Sequence, residues 1–372
     1  MKKLTILIAA IALVCFSVPA MAVDWNFYGS ARMATYYVSE DLGGNDTAAG
    51  NDKLTDLQWD LQGNSRVGAN VKAENLKGQF EFGVSSDASG GGNVSARRLY
   101  GVWNFGPGTL KVGKDYTPVS QFISGQVFDA DLGLLGIGTQ YGNREAQIAF
   151  GFGGFEVALI QPKSGDISTG GGTSAVGDVQ EIIPKIEAKW GMSFDAFNFN
   201  LMGGYNYYSI KDAQSLTNPG DTNDIGVSSY TIGGDAGFNF GPGYVKAAVS
   251  YGQNWGNAAW GLDGNHNQGS PAVWDGDDSI DDTTTWMAAL VAGMKVSDML
   301  SFEGGFGYRS DNPDVNGAET SKPWSAYVQS VIALAPGVYI IPEVGYFDGD
   351  KTFDDSDALT TFYVGGKWQI DF

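Results

Sequence analysis

Apolar residues in this chain recur at every second position rather than every third or fourth. From Tyr230 the sequence sets Tyr230, Ile232, Gly234, Ala236, Phe238 and Phe240 against Thr231, Gly233, Asp235, Gly237 and Asn239. After Asp195 it sets Phe197, Phe199, Leu201, Gly203, Tyr205 and Tyr207 against Asn198, Asn200, Met202, Gly204, Asn206 and Tyr208, and the stretch from Leu300 to Arg309 repeats the pattern. Successive side chains of a strand point to opposite faces. Each stretch therefore predicts a strand with one face in an apolar medium and the other in a polar one.

The apolar medium is a membrane, although mean hydropathy is only −0.14. A spanning helix needs about 20 apolar residues, and no such run follows residue 22. Glycine (54 of 372) and aromatics (13%) are both high. Together these features predict an all-β chain, a transmembrane antiparallel barrel whose water-facing residues dilute the apolar signal. Short turns rich in Gly and Pro fall near 74–77, 105–108, 151–154, 194–196, 240–243, 297–299 and 335–337. Long polar loops fall near 38–55, 86–95, 117–142, 163–180, 211–228, 255–283, 310–322 and 348–358. Alternating short periplasmic turns with long extracellular loops, they delimit about sixteen strands. Lipid offers a sheet edge no hydrogen bond, so the first and last strands must pair. The last strand alternates Phe362, Val364, Gly366, Trp368, Ile370 and Phe372 with Thr361, Tyr363, Gly365, Lys367, Gln369 and Asp371.

The N-terminus reads as a targeting segment. Lys2 and Lys3 precede an apolar run from Leu4 to Phe16, and Ala20-Met21-Ala22 is a small-x-small cleavage site. Residues 1–22 are expected to be a cleaved signal peptide, leaving one barrel domain over 23–372. Cys15, the sole cysteine, leaves with it, so no disulfide or thiol chemistry is expected. The formal charge of −20 argues against a nucleic-acid partner. The single histidine, His266, sits in the polar stretch Asn265-His266-Asn267, which is no setting for a general base beside a nucleophile, and no enzyme is expected. Gly170-Gly171-Gly172 lacks the Lys-Ser/Thr that completes a phosphate loop. Aspartates cluster at 275–282 and again at 348–357, without the spacing of a full calcium loop. They are expected to solvate the outer surface and gather cations, with no metal or cofactor required.

Several segments resemble the general bacterial (Gram-negative) outer-membrane porins. They are Phe27-Tyr28-Gly29-Ser30-Ala31-Arg32, the run Ser65-Arg66-Val67-Gly68-Ala69-Asn70-Val71-Lys72 with its turn Glu74-Asn75-Leu76-Lys77-Gly78, and Gly108-Thr109-Leu110-Lys111-Val112-Gly113-Lys114 followed by Tyr116-Thr117-Pro118. Asn143-Arg144-Glu145, Phe152-Gly153-Gly154-Phe155 and the terminal Phe372 complete the series. The resemblance implies a homotrimer of sixteen-stranded barrels in the cell outer membrane, in contact with its lipid and lipopolysaccharide. It implies a water-filled channel for passive diffusion of small hydrophilic solutes and ions. A solute-specific porin for an anion or sugar is the alternative, ahead of a barrel enzyme or a plugged structural barrel.

By the same resemblance, loop 117–142 folds into the pore as its constriction, with Asp129 and Asp131 as the acidic residues. Arg66, Lys114 and Arg144 match the family's basic wall. Arg32 stands two residues beyond the family's basic position, which is Ser30 here. The loop departs from the enterobacterial Pro-Glu-Phe-Gly-Gly turn and reads Phe128-Asp129-Ala130-Asp131-Leu132-Gly133-Leu134-Leu135-Gly136, which leaves its path and the pore size open. Loop 86–95, the family's latch onto a neighbouring subunit, is short and glycine-rich here. Arg97 and Arg98 are adjacent and are expected to face opposite ways, with Arg98 the possible pore-lining residue. Lys185, Glu187, Lys189, Lys246, Glu303, Arg309, Glu343 and Lys367 are expected to be solvated lumen side chains without individual roles. The acidic loops favour cations and the basic wall opposes them.

Overall fold

The computed structural model describes residues 23–41, 53–86, 92–165, 167–170, 172–218, 220–262 and 269–372. The expected signal peptide, His266 and parts of the loops near 38–55 and 86–95 lie outside the described residues. Sixteen strands form one closed sheet. The first eight are β1 (Asp24–Asp41), β2 (Lys53–Leu61 continuing as Ser65–Lys72), β3 (Leu76–Ser86), β4 (Gly92–Asn104), β5 (Thr109–Tyr116), β6 (Arg144–Phe152), β7 (Phe155–Ile160) and β8 (Asp178–Gln180 continuing as Lys185–Ser193). The rest are β9 (Phe197–Gln214), β10 (Thr222–Phe240), β11 (Gly243–Gln253), β12 (Thr283–Lys295), β13 (Leu300–Pro313), β14 (Trp324–Ala335), β15 (Val338–Asp348) and β16 (Thr360–Asp371).

Each strand pairs antiparallel with the next, and β16 pairs with β1 from Ser30 opposite Asp371 to Asp41 opposite Thr360. The terminal residue completes the seam: Gly29 N–H donates to Phe372 O at 2.6 Å, and Phe372 N–H returns the bond at 3.0 Å. Among the described residues the ladder thus runs from strand to strand and closes on itself, as a hydrocarbon solvent demands, with the loop-end segments Lys53–Leu61 and Asp178–Gln180 paired on one side. β2 breaks at residues 62–64; its first half pairs with the loop end of β1 and its second half with the turn end.

The period of two is realised as inside and outside. Ile232, Phe238, Leu290, Phe306, Val364 and Ile370 are exposed on the outer surface, while Tyr363, Lys367, Arg309 and Met287 are buried within. Aromatic rings band the outer surface. At the loop end a belt runs from β9 round to β2 through Tyr205, Tyr230, Tyr251, Trp286, Trp324, Phe362, Tyr37 and Trp59. At the turn end stand Trp25, Phe27, Trp103, Phe152, Phe194, Phe197 and Phe240. Such rings sit where apolar body and polar tip meet the membrane–water interface. Across β4 to β7 the loop-end belt is interrupted, and Leu99, Val112, Ile148 and Leu159 take its place.

One loop is shorter than the sequence suggested. β9 and β10 remain paired to Gln214 opposite Thr222, past a register shift between Ile210 and Ala213, so the loop expected over 211–228 shrinks to 215–221. A β-bulge absorbs the extra residue and lets pairing continue through polar sequence that reads as loop.

Candidate functional site: a constriction built by two loops

The loop between β5 and β6, residues 117–143, turns into the barrel and is held by charged side chains from strands far away in sequence. Val119 N–H donates to Glu187 at 3.2 Å, and Gln121 Nε2 donates to Gly234 O at 3.0 Å on the opposite wall. Gly125 N–H donates to Glu303 at 2.7 Å. Val127 and Phe128 N–H groups both donate to the Glu343 carboxylate, at 2.7 and 3.0 Å. Phe128 stacks on Tyr363 with ring centroids 3.8 Å apart. Asp131 then receives Lys367 Nζ at 2.7 Å and pairs with Arg32. Finally Gln62 donates to Val127 O and Asn64 to Ala130 O, which is why β2 opens at that point.

The loop thus crosses from β5 to β10 and β11, then follows β13 to β16 back to β1 and β2. Its tightest turn places Asp129, Ala130 and Asp131 at φ of 48°, 58° and 64°. For residues with a Cβ this left-handed conformation costs roughly 1–2 kcal/mol each. The charged clamps on either side offset that cost. Glu187, Glu303, Glu343 and Lys367 are therefore not solvated lumen residues, as the sequence suggested: each is buried and fastens the loop.

A second loop, residues 254–282, also enters the lumen. Trp255, Trp260 and Trp274 are fully buried. Trp260 Nε1 donates to Glu187 at 2.8 Å, Lys185 Nζ donates to Ala258 O at 3.1 Å, and Asn143 Nδ2 donates to Ala259 O at 3.0 Å. Arg309 pairs with Asp311 at 2.8 Å and donates to Gly136 O and Ser270 Oγ, joining both loops to β13. Lys185, Glu187, Arg309 and Asp311 have no exposed side-chain surface. The two loops pack against β8 to β14, while Arg66, Arg98 and Lys111 on β2, β4 and β5 keep 22%, 24% and 14% of their side chains exposed.

That remaining wall is basic. Arg66 approaches Glu81 at 3.5 Å, and Arg97 Nε donates to the same carboxylate at 2.7 Å. Arg98 Nε donates to Asp115 at 2.8 Å, and Lys111 bridges Asp115 and Glu156 at 3.3 and 3.1 Å. Tyr28, Gln79 and Tyr100 connect the two clusters by hydrogen bonds of 2.7 to 3.0 Å. The expectation that Arg97 and Arg98 face opposite ways is corrected: the register shifts between Glu81 and Phe82, and this bulge turns both arginines inward.

The other expected site residues fall as follows. Arg32 reaches Asp131 and also donates Nε to Ser30 Oγ at 2.9 Å, so its head lies near the level of Ser30 after all. Asp131 is clasped by two cations, whereas Asp129 is exposed in the same turn. Arg144 lies with Cζ 5.2 Å from the Tyr116 ring centroid. Lys114 follows Gly113, whose φ is 132°, and borders a cavity with Arg97, Tyr141 and Arg144, while Lys111 joins the wall through Asp115 and Glu156. Burial pushes the Tyr141 phenol above its usual range while Arg144 draws it back. On the turn side a cavity of about 650 Å³, lined by Gln126, Asp131, Glu303 and Lys367, opens beneath the loop. Among the described residues no group of three or more His, Cys, Asp or Glu is placed to hold a metal ion.

A sixteen-stranded barrel narrowed by an inward loop invites comparison with known proteins. A family model of Gram-negative porins matches residues 9–352. The chain belongs to the Gram-negative porin family. No curated protein matches it. Among solved structures, the outer-membrane channel DcaP of Acinetobacter baumannii aligns with a TM-score of 0.68 at 16% identity, covering 95% of this chain and 99% of that one. An anion-selective porin from Comamonas acidovorans aligns with a TM-score of 0.55 at 15% identity, covering 94% and 100%. The trimer form of OmpT from Vibrio cholerae gives 0.54 at 15%, covering 94% and 99%. At such identities the likeness is one of fold. Family and barrel together make this porin an outer-membrane channel.

Proposed function

We propose that this porin passes small hydrophilic solutes and ions by passive diffusion along the β1–β6 wall, with a preference for anions. One observation carries the preference. The Glu81 and Asp115 side chains are only 4% and 9% exposed, while the Arg66 and Arg98 side chains paired with them are 22% and 24% exposed. The Arg66 and Arg98 guanidinium groups stand in front of their counter-charges, so an ion passing this part of the wall meets the cation first, whereas at the loop turn Asp131 is more exposed than Arg32 and Lys367. Fixed charge at a narrow section sorts ions more strongly than charge on distant loops, since exposed charges more than about 10 Å away are screened at 0.1 M salt. The aspartates at 348–357 belong to the loop after β15, and within 275–282 Asp277 accepts from Asn218 and Asn223 at the loop end of β9 and β10. The relative from Comamonas acidovorans, an anion-selective porin, shares the fold. The test is the reversal potential of the purified protein in a planar bilayer across a KCl gradient. A chloride-sided potential is expected, and a potassium-sided one would sink the preference.

The working assembly we propose is a homotrimer, closed through the outer face of β4 to β7. Supporting this are the interrupted aromatic belt there and a solved relative in trimer form. Leu99→Arg is expected to yield folded monomers on a semi-native gel, whereas Leu290→Arg, within the belted face, should leave the trimer band while weakening insertion. A charged side chain on a lipid-facing position costs about 2–4 kcal/mol at mid-membrane. The chain carries out no bond-making chemistry in this reading, and its mature N-terminus is Val23, which intact-mass measurement of exported protein would check.

A further inference from the structure

Where β5 passes into the inward loop, three rings meet. Tyr116 and Phe122 lie with centroids 4.8 Å apart, and Tyr141 stands 6.3 and 6.2 Å from them. Two guanidinium groups flank the same cluster, with Arg98 Cζ 5.4 Å and Arg144 Cζ 5.2 Å from the Tyr116 centroid. Arg144 Nη1 is buried without a hydrogen-bond partner. A cavity of about 310 Å³, bordered by Arg97, Lys114, Tyr141, Asn143, Arg144 and Glu145, adjoins the rings. That is the lower end of the size range of small-molecule sites.

Phe122 is the unusual member. Its neighbours Gln121 and Ile123 are turned to the opposite wall and buried, while Phe122 is 54% exposed. A benzyl group left exposed beside a ring that carries two guanidinium groups forfeits the apolar burial the rest of the loop achieves. Chloride or phosphate would use the arginines and have no use for the ring. A neutral aromatic solute would use the ring and have no use for the arginines. Only a solute with both features uses every group present.

We propose that Phe122, Tyr116, Arg98 and Arg144 form a binding site for aromatic carboxylates at the loop end of the channel. The carboxylate meets the guanidinium of Arg144 or Arg98 as a charge-assisted hydrogen bond, and the ring packs on Phe122 in the offset or edge-on geometry aromatic pairs prefer. This deepens the anion-preferring reading above and rests on it for the approach of the solute.

The test is interruption of single-channel current in the full mature protein by sodium benzoate, sodium acetate and benzyl alcohol. Benzoate is expected to close the channel transiently at about tenfold lower concentration than acetate, since one aromatic contact is worth up to that factor. Benzyl alcohol should have no effect at the same concentrations. In Phe122→Ser the benzoate-to-acetate ratio should fall toward one, and in Phe122→Trp it should be retained. A wild-type ratio near one, or a ratio unchanged in Phe122→Ser, overturns the site. The reversal potential is a separate readout: its sign decides the anion-preferring reading, and the benzoate-to-acetate ratio decides the site whichever sign is found.

Discussion

Replacing Arg66 and Arg98 together by glutamate is expected to move the reversal potential through zero and make the channel cation-preferring. Both heads stand at the water-accessible side of the wall, in front of Glu81 and Asp115. Each substitution removes one positive charge from the solute's path, adds one negative charge and releases the carboxylate behind it. A single charge at about 4 Å is worth about 1 kcal/mol even in bulk water, and a factor of ten in partition corresponds to roughly 1.4 kcal/mol. Two reversals therefore shift the chloride-to-potassium ratio by on the order of tenfold or more. The shift should be largest at 0.1 M salt and shrink at 1 M, where the screening length falls to about 3 Å. Arg66→Gln with Arg98→Gln should give an intermediate value. If the double glutamate variant folds as a trimer and keeps the wild-type reversal potential, the wall does not set selectivity.

The second large effect concerns the inward loop. Gly307 lies against it so closely that a Cβ built there would sit 1.9 Å from Ile137 O, with Gly138 Cα at 3.2 Å. Gly138 itself has φ of 138°, a region side chains disfavour, so neither partner is free to yield. Gly307→Val should therefore lift the loop from β13 and raise single-channel conductance. Gly304→Ala, on the same strand but facing Tyr327 O at 3.3 Å, should change conductance little. Glu343→Gln attacks the same seat from β15. Its carboxylate accepts Val127 N–H, Phe128 N–H and the Tyr363 hydroxyl. An amide supplies one acceptor fewer and one donor too many, at a cost of about 1–3 kcal/mol for the group left unpaired. Noisy current with brief large openings is the expected signature, and a quiet wild-type trace would show that the loop does not depend on this clamp.

The strand plan was legible because lipid enforces it. A barrel wall separates two media along its whole length, so period two is written into β9, β10, β13 and β16 without interruption. Closure followed from the same solvent argument, and Asp129 and Asp131 were found on the inward loop because that loop occupies a recognisable place between β5 and β6. The parity of a strand is readable only while its register is regular. Arg97 and Arg98 sit on a bulge that no local signal announces, so alternation assigned one of them wrongly.

The clamps were illegible for a different reason. Glu187, Glu303, Glu343, Lys367 and Arg309 each occupy an inward position that any water-filled barrel would tolerate as a solvated charge. Their partners lie at sequence separations such as 216 between Val127 and Glu343, and 173 between Gly136 and Arg309. Tyr327 and Tyr363, which line the lumen beside two of these carboxylates, were the only hint that the surroundings are packed. By itself the sequence determined a closed sixteen-stranded wall and which face of each strand meets lipid, because those properties depend on residues next to one another and on the solvent outside. Only the tertiary structure decided that two loops pack against one side of the barrel and leave a basic wall exposed on the other. Whether an inward charge meets water or a backbone N–H depends on the path of a loop 68 to 216 residues away.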